Sequence, residues 1–125
     1  MALIDMDFNN GSGGVTLLWE NPSTTTLASG TIQIPNLDNY NTIIFELGDS
    51  TGVYYSGIRL SDLATAKYIG YITPQSTMYE YFREVTHSAQ NTLTISTGKY
   101  SYFRATGIGS GDNYAVFLKI YGVNI

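Results

Sequence analysis

The residues of this chain that could do chemistry are few, and their spacing argues against catalysis. Glu80 and Glu84 come nearest to a carboxylate pair. On a strand they share a face, but at about 3.4 Å per residue they stand roughly 13–14 Å apart. Glycoside hydrolysis needs its two carboxyl groups about 5–10 Å apart. On a helix the two would come close enough, yet nothing else nearby completes a site. Asp5 and Asp7 belong to the loose start of the chain. His87 is the single histidine. A triad would need an activated Ser or Thr beside it, and Ser88, next in sequence, points to the opposite face of a strand. One histidine with no cysteine does not make a transition-metal site. Gly107-Ile108-Gly109-Ser110-Gly111-Asp112 looks like a phosphate-binding loop, but the lysine and the following helix that such a loop uses are both missing. Its glycines are expected to supply positive φ in a hairpin loop. Oxygens of Asp49 with Ser50 and Thr51, or of Asp112 with Asn113, suit calcium by type, without the EF-hand spacing. The expectation is therefore no enzyme activity, no cofactor and no metal.

The tyrosines pose a different question. There are eleven, with five phenylalanines and one tryptophan. Tyr54, Tyr55, Tyr68, Tyr71, Tyr79, Tyr81, Tyr100 and Tyr102 are too many for one small core. A buried tyrosine needs a partner for its hydroxyl, so many of these belong at rims and interfaces. One reading makes them sheet-packing and subunit-interface residues, since interfaces enrich tyrosine. The other makes them a carbohydrate-stacking surface, helped by neighbouring Asn, Asp and Gln. Tyr54, Tyr55, Tyr79, Tyr81, Tyr100 and Tyr102 are the candidates for such a glycan or partner surface.

The elements that must hold these rings have a period of two. Val15, Leu17 and Trp19 alternate with Thr16, Leu18 and Glu20. Ile32 and Ile34 alternate with Thr31 and Gln33, and Pro35 ends that ladder or puts it at an edge. Ile43, Phe45 and Leu47 share a face. Residues 54–60 and 67–72 read as short strands, with turn signals at Gly48, Gly52 and Asp62. Residues 78–86 form an amphipathic strand with Tyr79, Tyr81 and Val85 opposite Glu80, Phe82 and Glu84, a helix being the main rival. Residues 92–96 alternate around Leu93 and Ile95, and Thr97-Gly98 then looks like a hairpin turn into residues 99–105. Residues 114–121 form the strongest strand, with Tyr114, Val116, Leu118 and Ile120 on one face, and it is expected in the middle of a sheet. About nine short strands at this spacing predict an all-β antiparallel sandwich or jelly roll in a single domain.

Ahead of that domain the chemistry changes. Met1 to Phe8 alternates apolar and acidic residues, and Asn9-Asn10-Gly11-Ser12-Gly13-Gly14 is linker material. Residues 1–14 are expected to be a docking segment and hinge, with Leu3, Ile4, Met6 and Phe8 as its anchors, and residues 15–125 the sandwich. A peptide of this pattern can add a strand to an exposed sheet edge. The competing reading is a loose terminus that caps its own domain.

The run Leu17-Leu18-Trp19-Glu20-Asn21-Pro22-Ser23, followed by Thr31-Ile32-Gln33-Ile34, Leu37-Asp38-Asn39-Tyr40 and Ile43-Ile44-Phe45-Glu46-Leu47, resembles a module of structural proteins of tailed bacteriophages that infect Gram-positive hosts. Those modules often close on a Lys-Ile-Tyr-Gly step, matched here by Lys119-Ile120-Tyr121-Gly122-Val123. The match covers about a third of the chain and carries no catalytic fingerprint. It implies a virion component, made in the host cytoplasm, that is a head fibre or decoration protein or a tail-fibre tip. Such a protein works in assembly and host attachment, alongside other virion proteins. The trimeric habit of phage fibres and spikes implies a homo-oligomer, with a trimer favoured.

Composition is compatible with this. Apolar residues make up 43% of the 125 residues and charged ones only 13%, about half the usual share of charge. Disordered chains are rich in charge and poor in aromatics, so the deficit points to a folded β protein. Six scattered Lys and Arg against a net charge of −4 are too few for nucleic acid, which needs clustered cations. No apolar run approaches the roughly 20 residues of a membrane helix, so no membrane insertion is expected. No signal peptide is visible either. The rival from a different class is a carbohydrate-binding or adhesin module that contacts cell-surface glycan.

Overall fold

The computed structural model describes residues 14–49, 52–73, 78–102 and 108–125. Leu3, Ile4, Met6 and Phe8, and with them residues 1–13 of the expected docking segment and hinge, lie outside these residues. The described chain is an all-β antiparallel sandwich. Its strands are β1 (Thr16–Glu20), β2 (Gly30–Gln33), β3 (Thr42–Asp49), β4 (Gly52–Arg59), β5 (Lys67–Thr73), β6 (Tyr79–Ala89), β7 (Thr92–Ile95), β8 (Lys99–Tyr102), β9 (Gly109–Ser110) and β10 (Val116–Val123). One sheet has the order β1-β10-β3-β4. The other runs β2-β7-β6-β8-β9, with β5 on the remaining edge of β6.

Period-two patterning explains the core directly. Ile43, Phe45 and Leu47 point inward from β3 and meet Ile69, Val85, Leu93 and Ile95 of the other sheet, all at most 2% exposed. Each such side chain contributes about 1.5–3 kcal/mol of burial. Phe45 packs on Phe117 with ring centroids 4.9 Å apart. Ile34, Leu37 and Leu63, from connections between strands, plug the same core. Ile44 faces the other way, into a second cluster with Val15, Tyr121 and Val123. That cluster accounts for the two-sided apolar run of β3 within a single chain.

Two bulges redirect side chains from where strict alternation puts them. In β1 the register slips between Leu17 and Trp19, and in β10 between Phe117 and Lys119. A bulge adds one unpaired residue and flips the alternation beyond it. Val15, Leu17 and Trp19 therefore do not share a face. Val15 joins the outer cluster, Leu17 is exposed, and half-buried Trp19 packs on the main core beside Leu18. In β10 the main core receives Phe117 as well as Val116 and Ile120, with Leu118 only partly buried against it, so the face is not a clean Val116, Leu118, Ile120 alternation. Tyr114 precedes the strand, at a turn where Ala115 has φ 49°.

Thr97-Gly98 is not a hairpin turn. β7 and β8 both pair with β6 along the edge that β5 does not use, β7 with residues 85–89 and β8 with residues 79–82. They are two halves of one edge, interrupted at residues 96–98. Ser96 bridges the gap, its amide donating to Glu84 O at 2.9 Å and its Oγ accepting from Glu84 N at 2.8 Å. Residues 79–89 are strand throughout, so the helical rival for this segment falls away.

As expected, β10 lies inside its sheet, between β1 and β3. The residues after it are tied down by Asn41, whose Nδ2 donates to Ile125 O at 3.1 Å and whose amide donates to Asn124 Oδ1 at 2.9 Å. Asn21, which follows β1, pins its own turn to the β10 bulge. Its Nδ2 donates to Thr26 O at 2.9 Å and Phe117 O at 3.0 Å, and its Oδ1 accepts from Ser23 N at 2.9 Å.

Candidate functional site

β6 and β8 place Tyr79 opposite Tyr102 and Tyr81 opposite Tyr100. All four point to the inward face, as Val85 does, and of them Tyr81 packs against the main apolar core. The cross-strand ring centroids are 5.2 and 6.4 Å apart. Tyr71 of β5 sits 5.2 Å from Tyr81, and Tyr54 of β4 reaches across from the other sheet to stack on Tyr71 at 4.2 Å and 5°. Tyr114 closes the group at 4.6 Å from Tyr100. Seven rings thus form an unbroken chain from one sheet to the other, each favourable pair adding about 0.5–1.5 kcal/mol beyond burial.

The hydroxyls divide into two kinds. Tyr71 is buried and its O–H donates to Asp49 Oδ2 at 3.3 Å. Burial, and then the Asp49 charge, push its pKa well above the ordinary tyrosine value. The same causes raise that of Tyr81. The hydroxyls of Tyr54, Tyr79, Tyr81, Tyr100 and Tyr102 have no hydrogen-bond partner among the described residues, and none is sealed from water. The array is thus a half-buried apolar surface edged with hydroxyls that have no protein partner among the described residues.

Five of the six tyrosines singled out from the sequence therefore lie in one array. Tyr55 does not join them. It is exposed on the outer face of the four-stranded sheet, opposite Glu46. Partial burial, then Glu46, raise its pKa. Tyr121 donates to the same Glu46 carboxylate at 3.1 Å.

Behind the array stands Arg83, which is fully buried. Its Nε donates to Ala115 O at 2.8 Å and Tyr114 O at 3.2 Å. Nη1 donates to Ser96 O at 3.0 Å and Nη2 to Asp112 O at 3.2 Å. The guanidinium fork thus fills the break between β7 and β8 and holds the turn that carries Tyr114. Burial lowers its pKa to about 10, with Asp112 opposing that shift, so it is charged at neutral pH. Sequence reading missed this residue. The available signal was its place in the alternation Tyr79, Tyr81, Arg83, Val85, where a charge on the inward face requires partners.

The outward face of the six-stranded sheet carries Tyr68 and Ile72 of β5, Glu80, Phe82 and Glu84 of β6, and Lys99 of β8. Tyr68 is 69% exposed and meets Phe82 edge-on at 5.2 Å. Glu80 and Glu84 flank Phe82 on a strand and so do not form a close carboxylate pair. At the far end of the sandwich His87 Nε2 lies 2.8 Å from Asp38 Oδ1. Beside it is a cavity of about 300 Å³ lined by Tyr40, Asn41, Arg59, Leu60, Ser61 and His87. Ser88 turns away from this pair, its Oγ accepting from Thr94 Oγ1 at 2.7 Å.

The glycine-rich segment contributes the short β9, which pairs with β8, and Gly111 N donates to Gly98 O at 2.9 Å. Gly107 lies outside the described residues, as do Ser50 and Thr51. Among the described residues no three His, Cys, Asp or Glu side chains gather as metal ligands. Comparisons of the chain with protein-family models, with curated proteins and with solved structures found no match.

Proposed function

We propose that this chain is a non-enzymatic bacteriophage virion structural protein, a head-fibre or decoration protein or the tip of a tail fibre, that acts in assembly and adhesion to the host surface. The observation that carries this reading is the unbroken array of seven tyrosines, an aromatic contact surface larger than the core of so small a sandwich requires. The resemblance of residues 17–47 and of Lys119-Ile120-Tyr121-Gly122-Val123 to phage structural modules supports the virion context. A homo-oligomer, a trimer by the habit of such proteins, would use the array as a shared contact between copies. The first eight or so residues would dock the protein on its partner in the particle.

Mass spectrometry of purified virions tests this directly, with the expected result that the protein is a stoichiometric component. Deleting residues 2–10 should leave a folded domain that no longer joins particles. Absence from virions, or a deletion that unfolds the domain or still assembles, would overturn the corresponding part. The alternative, a carbohydrate-binding or adhesin module, is favoured by one specific observation: the exposed Tyr68 ring beside Phe82, Glu80 and Lys99.

A further inference from the structure

We propose that the outward face of the six-stranded sheet is a groove for a neutral saccharide chain, with Tyr68 and Phe82 as its stacking platform and Glu80 and Lys99 as its hydrogen-bonding flanks. The inference rests on the adhesive half of the function proposed above. It assigns that role to a face other than the tyrosine array.

Register builds the groove. Phe82 lies between Gly70 on β5 and Lys99 on β8, its direct cross-strand neighbours. Gly70 leaves a notch in which nothing else fits: a Cβ there would come within 1.9 Å of Tyr81 O and 2.9 Å of the Phe82 Cβ. Tyr68 stands beside this notch and takes the edge of the Phe82 ring. Two hollows adjoin here, of about 230 and 180 Å³, and they share Tyr68, Glu80 and Phe82; the larger also reaches Tyr71 and Tyr81 and, on β4, Ser56, whereas the smaller is bounded by Lys99 and Ile108. Each is smaller than the ~300 Å³ that begins to suit a compact drug-sized ligand. Each therefore takes one ring of a chain that runs on across the sheet.

Charge decides between a sugar and a protein partner. The centre of a protein–protein interface is depleted of charged residues. Here a carboxylate and an ammonium lie in the hollow itself, next to the exposed Tyr68 ring and the half-buried Phe82 ring, and among the described residues neither forms an ion pair. A sugar ring presents an apolar face bordered by hydroxyls. Its apolar face can stack on Tyr68 and Phe82, while its hydroxyls donate to Glu80 and accept from Lys99. With Glu84 on the same face and a net charge of −4, a polyanionic glycan is repelled, so the occupant is neutral.

The test titrates cellotetraose, chitotetraose and maltotetraose into the full chain and follows backbone and aromatic NMR shifts. The expected result is saturable movement of Tyr68, Phe82 and Lys99 signals with at least one of the three. Tyr68→Ala, which removes an exposed side chain, should weaken that binding at least tenfold with unchanged melting. Tyr102→Phe in the array should leave it unchanged. No response to any of the three sugars, or shifts confined to the tyrosine array, overturns the inference. So does a loss of self-association in Tyr68→Ala measured by light scattering, which would make the face a contact between copies. A protein found in virions that binds none of these sugars refutes this inference alone, whereas sugar binding at Tyr68 without virion association refutes only the virion reading.

Discussion

Replacing Arg83 by methionine keeps most of the side-chain volume and removes the fork that holds four backbone carbonyls. Of these, Asp112 O retains the Leu27 amide at 3.0 Å as a second donor. The carbonyls of Ser96, Tyr114 and Ala115 lose the guanidinium. At about 1–1.5 kcal/mol for each orphaned acceptor near a partly wet turn, the gross loss is about 3–5 kcal/mol. Relief from burying a charge returns about 1 kcal/mol, leaving a net cost of about 2–4 kcal/mol. For a domain of this size that lowers Tm by about 8–15 °C. Arg83→Lys should recover only part of the loss, because an ammonium is a point donor without the planar fork. Calorimetry and denaturant midpoints of both variants provide the measurement. The tyrosine array supplies a second readout, since the turn carrying Tyr114 should loosen and its near-UV circular dichroism fall. An Arg83→Met protein that melts within about 2 °C of the parent, with its near-UV signal intact, would refute the idea that the guanidinium holds this turn.

Asn21→Ala should cost about 2–3 kcal/mol by leaving Thr26 O and Phe117 O without their donor, and Asn21→Asp should recover little, as a carboxylate keeps only the Ser23 contact; urea midpoints of the two variants decide this. Trp19→Ala is expected to cost about 2–3 kcal/mol rather than the 3–5 kcal/mol of a fully buried aromatic, because the ring is half-buried, and thermal melting reads the difference. Alkaline pH should destabilise the fold. Tyr55, Tyr71, Tyr81 and Tyr121 all have pKa values raised above 10.0, so their contribution is complete below the unfolded value near 10 and is lost as pH rises through the folded values. Arg83, lowered from 12.5 to about 10, acts oppositely over that window, one group against four. Urea midpoints at about pH 9 and about pH 11, with tyrosinate absorbance recorded alongside, should show a lower midpoint at the higher pH.

Fold class was legible because alternation survives in most strands, and the inward trio Ile43, Phe45 and Leu47 shows it undisturbed. It failed where a bulge added a residue. Leu18 and Leu118 look like ordinary strand residues, so nothing in their type warns that the faces of Leu17 and Phe117 are exchanged. Thr97-Gly98 misled for a related reason: a break within one strand edge has the same small, polar chemistry as a turn between two strands. The tyrosines were legible as a surplus but not as a place. Adjacency of β4, β5, β6 and β8 is a long-range fact, and it separates Tyr55 from Tyr54 although the two are neighbours in sequence. Arg83 and the Tyr68–Phe82 groove lay in plain view yet acquired meaning only from which face of the sheet each residue occupies.

The central place of β10 also sets a timetable for folding during synthesis. Until residues 116–123 have left the ribosome, β1 lacks its partner in the four-stranded sheet and the edge of β3 that β10 will occupy stays bare. Pairings between sequence neighbours, β3 with β4 and β5 with β6, can form early, whereas closure waits for a contact spanning nearly the whole chain, which is slow. During that wait Arg83 remains hydrated, because the carbonyls of Asp112, Tyr114 and Ala115 arrive only just ahead of the last strand. Nascent chains with a bare apolar edge are prone to pair with one another. Crowded polysomes making this domain therefore face an aggregation hazard for as long as residues 116–123 have yet to emerge.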